Sequence, residues 1–224
     1  MKAWKLLRIN LTDKTSEFEE LDEKFLRKYL GGRTIGAYYL LKEVLPAADP
    51  LGPENKLIIS TGLLTRTKLS GASRYSIIAK SPLTNGFGES EAGGWWGPEF
   101  VAAGYHVLII EGTSERPVYI WINDNQVEIL DADEIWGLGN GETYKFLKQK
   151  HKNCRTLQIG IAGENLVRYA NIVNEVRHVH GRCGLGAVMG SKKLKAIAVC
   201  GSHDQEIADE AKLKEFRRWH NGLI

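Results

Sequence analysis

Residues 93–112, GGWWGPEFVAAGYHVLIIEG, and residues 182–201, RCGLGAVMGSKKLKAIAVCG, decide the fold. Each begins among clustered glycines, passes through a short helical stretch and closes in an apolar strand ending on glycine. Gly97 and Gly186 stand 89 positions apart, and so do Gly112 and Gly201. Upstream, LIISTG at 57–62 and LQIGIAG at 157–163 are both strands running into glycine. Each half therefore reads strand, glycine turn, strand, glycine-rich loop, short helix, strand. The expectation is a duplicated unit whose halves are related by a pseudo-two-fold, with the two glycine loops facing each other.

Outward from these segments the pattern is mixed. Leu6 to Leu11 and Ser16 to Leu21 alternate like an antiparallel hairpin about a polar turn at Thr12-Asp13-Lys14. Asp22 suits the cap of a short helix that Gly31-Gly32 stops, and Thr34 to Val44 reads as a second helix. NKLIISTG, SRYSIIAK, HVLIIEG, PVYIWIND, QVEILDA, TLQIGIAG, VRYANIVNE and LKAIAVCGS are strands. Glu99 to Ala103, with Pro98 in the first turn, residues 140–150 and the tail DEAKLKEFRRWHNGLI are helical.

With 224 residues, 43% of them hydrophobic and 25% charged, the chain can bury a sizeable core. A net charge of +3 without a Lys/Arg block is too small for a nucleic-acid footprint. No signal-peptide core or membrane-length apolar run is present, and a reducing cytoplasm is the expected compartment. Cys154, Cys183 and Cys200 are odd in number and widely spaced, which excludes a disulfide framework and short-spaced metal sites. Cys183 and Cys200 read as small packing residues.

A glycine turn that opens a helix exposes consecutive N–H groups at the positive end of the helix dipole, and so makes an anion site. Arg74 precedes the first such loop and Arg182 lies within the second, each offering the bidentate fork that phosphate prefers. Neither loop is a Walker loop or a dinucleotide fingerprint. Trp95 and Trp96 read as an apolar wall around a flat ligand, with at least one of the two turned into the core. His178 and His180 read as a polar loop face rather than a ligand pair.

The segments GASRYSIIAKSPLT, EAGGWWGPEFVAAGYHVLIIEG, IGIAGENLVRYANIVNE and GRCGLGAVMGSKKLKAIAVCG, with YLGGRTIGAYYLLKEV and DPLGPENKLIISTG, resemble the N-terminal domain of the tungsten-containing aldehyde ferredoxin oxidoreductases. The resemblance runs in order from residue 4 to residue 202. It implies an α+β fold, a duplicated unit with two β-sheets and short helices. It implies a tungsten or molybdenum centre on a bis-molybdopterin cofactor whose phosphates are joined through magnesium. Arg74 and its second-loop counterpart Arg182 fall on phosphate-contacting arginines. The cofactor-binding set carried over is Arg74, Ala92, Gly93, Gly94, Arg182, Gly184 and Gly186. Magnesium would take the backbone carbonyls of Glu91 and of its counterpart Cys183, although known members carry asparagine where Glu91 stands.

No catalytic residue is assigned to this chain. Residues 1–202 form the cofactor-binding domain, and 203–224 begin a helical linker toward a C-terminal region or partner subunit. That region supplies the cysteines of a 4Fe–4S cluster, for which this chain has no ligands. The implied reaction oxidises aldehydes to carboxylic acids, with electrons passing through the cluster to ferredoxin. Alone, the chain would be inactive and would pair through the apolar surface its companions cover, as a homodimer. Two alternatives stand beside this: a non-catalytic pterin-binding subunit or assembly partner, and an unrelated nucleotide-phosphate binder.

Overall fold

The computed structural model describes residues 4–223, so the outermost expected boundaries, 1 and 224, lie outside the described residues. The first half opens with the hairpin β1 (Trp4–Asn10) and β2 (Thr15–Leu21), then α1 (Glu23–Tyr29) and α2 (Arg33–Glu43). It continues with β3 (Leu57–Thr61), β4 (Tyr75–Lys80), β5 (Phe87–Ala92), α3 (Trp96–Ala102) and β6 (Val107–Glu111). The second half runs β7 (Val118–Asn123), β8 (Gln126–Asp131), α4 (Asn140–Lys150), β9 (Arg155–Gln158) and α5 (Ile161–Glu164). It closes with β10 (Ile172–Asn174), β11 (His178–His180), α6 (Leu185–Ser191) and β12 (Leu194–Cys200), before the final helix α7 (Glu210–Asn221).

The two six-stranded mixed sheets have the orders β2-β1-β6-β3-β4-β5 and β8-β7-β12-β9-β10-β11. Every pairing sense repeats. β1 with β6 and β7 with β12 are parallel, and all other neighbours are antiparallel. The fold is thus α+β and duplicated, as the sequence repeat implies. The repeat is longer than the 89-residue offset alone reveals, because it begins at the hairpins β1–β2 and β7–β8.

Strand alternation explains the layers. In β1, Leu7 and Ile9 face the central core, while Trp4 and Leu6 face the helices α1 and α2 with Leu26, Ile35, Tyr39 and Leu40. The second sheet sends Tyr119, Ala196 and Ala198 outward against Leu147 of α4. Between the sheets lie α3 and α6, and each reaches the opposite sheet. α3 packs on β9 and β12 of the second sheet, and α6 packs on β3, β4 and β5 of the first as well as on β10 and β12 of its own. Trp96 illustrates this reach: it is fully buried, its Nε1–H donates to Ile197 O at 3.0 Å, and its ring stacks on Phe100. Neither half can therefore complete its core alone.

Local signals hold where they are short-range. Asp22 caps α1 by accepting from Phe25 N at 2.7 Å. Four stretches differ from expectation. Residues 87–92 and 178–180 are strands rather than loop, and the strand begun at Arg155 stops at Gln158, after which IAGE turns helical. α3 starts at Trp96 rather than near Pro98.

Candidate functional site

The edge strands β5 and β11 meet in a seam, and each glycine turn lies against strands of the other half: the second against Gly88–Ser90 of β5, the first against Asn174 and His178. His180 Nδ1–H donates to Ser90 O at 2.8 Å, and Arg182 N donates to Ser90 Oγ at 3.3 Å. Cys183 Sγ lies 3.7 Å from Glu89 O, and the Cys183 carbonyl accepts from Ser81 Oγ at 2.8 Å. Asn174 Nδ2 donates both to Gly93 O at 3.3 Å and to the Tyr75 hydroxyl at 2.8 Å. Beneath the first turn there is therefore a buried trio, Tyr75, Asn174 and His180, of which the sequence marks only His180, and that as part of a loop face.

The two tryptophans separate. Trp96 anchors the core, whereas Trp95 is 59% exposed and carries the Arg155 guanidinium over its ring at 5.5 Å. Arg74 and Arg182 are both exposed. Gly93 meets nothing within 4 Å of where a Cβ would stand, so the backbone there is open to an approaching ligand. Gly94, with φ +99, is instead pressed on Asn174 and His178. Ala92, Gly184 and Gly186 are buried. A Cβ at Gly184 would stand 1.8 Å from Arg168 O, and one at Gly186 2.5 Å from Asn171 O. Packing alone requires glycine at those two positions.

Register corrects two equivalences. Tyr75 pairs with Ala92 as Ile172 pairs with His180. Arg74, just before Tyr75, is thus matched by Asn171, and Arg182, two past His180, is matched by Gly94. The two arginines reach the seam from different places in the repeat. The same counting matches Glu91 to Val179, not to Cys183.

Nor are the histidines a common loop face. His178 is exposed and His180 is fully buried. Burial drives the His180 pKa down to about 4 and does the same for His106, whose ring stacks on Trp4. Both are neutral when folded, while the unfolded chain takes up protons below pH 6.5. Stability is therefore intact above 6.5 and falls as pH drops from 6.5 toward 4, by about 2 kcal/mol per histidine at pH 5. His180→Phe should remove about half of this slope while costing about 1–3 kcal/mol at pH 7 through the stranded Ser90 carbonyl. Denaturant midpoints at pH 7 and pH 5 measure both.

Hollows of about 470 and 390 Å³ lie elsewhere, one against Tyr29, Tyr38 and Leu41, the other around Glu43, Lys56 and Glu111. Neither touches the glycine turns. Among the described residues, no cluster of three or more His, Cys, Asp or Glu side chains is arranged for a metal, and no helix is long and apolar enough to cross a membrane.

Residues 6–201 match the family described as aldehyde ferredoxin oxidoreductase, N-terminal domain. The chain is 47% identical over 216 residues to the tungsten-containing aldehyde ferredoxin oxidoreductase of Pyrococcus horikoshii, which covers 96% of this chain and 36% of that protein. It is 41% identical over 232 residues to the aliphatic sulfonate oxidoreductase, WOR-like subunit, of Pyrococcus furiosus, covering 96% of this chain and 37% of that one. Among solved structures, the active site complex BamBC of benzoyl coenzyme A reductase, in complex with 1,5-dienoyl-CoA, superposes with a TM-score of 0.87 at 39% identity. It covers 89% of this chain and 31% of that one. The chain thus spans about a third of the length of the relatives it matches.

Proposed function

The chain belongs to the aldehyde ferredoxin oxidoreductase family, and on that premise we propose that it is the cofactor base of a tungsten or molybdenum bis-pterin oxidoreductase. The observation that carries this reading is the seam itself. The two halves of a duplicated fold meet edge to edge there, each with a glycine turn at the seam and an exposed arginine beside it. A cofactor made of two like organic ligands matches a base built of two like halves.

The residues present fit such a group. Arg74 and Arg182 would hold the phosphates through bidentate, charge-assisted bonds. The open backbone at Gly93 leaves room for a flat ring, and the exposed Trp95 face, fixed by Arg155, forms an apolar wall. Magnesium would be met by the backbone carbonyls of Glu91 and Cys183, hard oxygen donors suited to it. When bound, the centre supplies two-electron oxidation of an aldehyde to a carboxylic acid, the electrons leaving through an iron–sulfur cluster toward ferredoxin. This chain's own part is to seat and orient the cofactor, because its three cysteines are fewer than the four that such a cluster takes.

In this reading residues 1–202 form the cofactor domain, and 203–224 lead toward the companion region that supplies the cluster. Substrate choice belongs to that region. Relatives named for aldehydes, aliphatic sulfonates and a dienoyl-CoA complex share the present chain at 39–47% identity. A subunit role, active only with a second chain, is supported by the relative named as a WOR-like subunit.

Elemental analysis for tungsten and molybdenum, with pterin assay, should find both when the chain is produced with its companion region. Nucleotide co-purifying in their place would overturn the reading.

A further inference from the structure

Glu91 sits between two guanidinium groups. Its Oε2 accepts from Arg33 Nη2 at 3.2 Å, and its Oε1 lies 3.5 Å from Arg74 Nη1. The arginines come from different elements. Arg33 is the first residue of α2, whose N-cap, Gly32, makes no side-chain cap bond. Arg74 stands just before β4. Glu89, on the same face of β5 as Glu91, accepts from Ser76 Oγ at 2.9 Å and lies 3.9 Å from Arg33 Nε. The guanidinium side chains are 62% and 60% exposed.

A carboxylate held by two guanidinium groups is an anion in a fork, and the same fork accepts the oxygens of a phosphate. Ion pairs this exposed are weak, so the carboxylate is held loosely and can be displaced. A phosphate competes well because it brings more charge and a third acceptor oxygen. The uncapped start of α2 adds its own partial positive charge on the same side.

We infer that Arg33 and Arg74 form a paired anion site and that the Glu91 carboxylate is its internal occupant, seated there until a phosphate group displaces it. Arg33 then joins Arg74 as a phosphate contact, and loading is an exchange of one anion for another. That the natural occupant is the cofactor's phosphate rests on the function proposed above. The pair itself rests only on the contacts of Glu91.

Inorganic pyrophosphate titrated into the chain at low salt, followed by calorimetry, tests this. Glu91→Gln should bind about tenfold more tightly than the wild type, because a competing charge is gone. Arg33→Ala combined with Glu91→Gln should return affinity to the wild-type level or below. The Glu91→Gln chain should melt within a few degrees of wild type. If the three proteins bind pyrophosphate equally, or none binds, the inference is wrong. If Glu91→Gln only lowers the melting temperature, the contact is a structural tie between α2 and the sheet edge, and the inference is equally wrong. A tenfold gain, together with no pterin in the protein produced with its companion region, would uphold the pair and overturn the cofactor reading. Pterin found in that assembled protein, with equal pyrophosphate affinities in the three chains alone, would do the reverse.

Discussion

Gly190→Ala is expected to destabilise the protein by about 3 kcal/mol or more, the upper end for overpacking. Helix propensity alone predicts the opposite, because alanine in a helix interior is about 0.5–1 kcal/mol better than glycine. Geometry decides the sign. A Cβ at position 190 would stand 1.9 Å from the carbonyl oxygen of Gly163 and 2.6 Å from its carbon. Both are backbone atoms, so no rotamer change relieves the clash. α5 is not free to retreat either. Glu164 on that helix pairs with the fully buried Lys195 and accepts from Gly137 N at 2.9 Å. In a chain of this size each kcal/mol shifts the melting temperature by about 2–4 °C, so a fall of about 6–12 °C is expected. Gly141→Ala, at an exposed α4 position with nothing within 4 Å, is the control and should melt unchanged or slightly higher. A higher melting temperature for Gly190→Ala would mean that α5 and α6 do not cross so closely.

That crossing also shows where sequence reading stops. The glycines at 184, 186 and 190 look like a ligand loop in one dimension. In space they are the contact surface by which α6 passes α5 and the backbone at 168–171. What was legible follows from neighbours in the chain: the hairpin β1–β2, the Asp22 cap, the apolar strands that are buried on both faces. What was not legible depends on distant partners. β5 reads FGESEA, with no apolar alternation, and is a strand because β4 pairs with it. β11 has three residues and is held by β10. These two edges make the seam, so the elements hardest to read are the ones that form the site. The tryptophan pair shows the same limit. Adjacent residues at a helix start point about 100° apart, and only the position of the second sheet determines that Trp96 is the buried one. Arg33 contacts a carboxylate 58 positions away, and no local pattern marks it.

The second large effect concerns the seam itself. Each charge-assisted hydrogen bond from arginine to phosphate is worth about 1.5–3 kcal/mol. Removing Arg74 and Arg182 together should therefore weaken cofactor retention by at least a hundredfold. The fold should be indifferent, because both side chains are exposed and surface substitutions away from special features stay within about 0.5 kcal/mol. A variant that both melted early and lost its cofactor would be uninformative about contact, so the melting temperature is read alongside.

The deciding measurement is the number of tungsten or molybdenum atoms and of pterins per chain, in the protein assembled with its companion region, for the wild type and for Arg74→Ala/Arg182→Ala. The account predicts metal and pterin together in the wild type, and both below about a tenth of that level in the variant, at an unchanged melting temperature. Full retention of metal and pterin by the doubly substituted protein would contradict it.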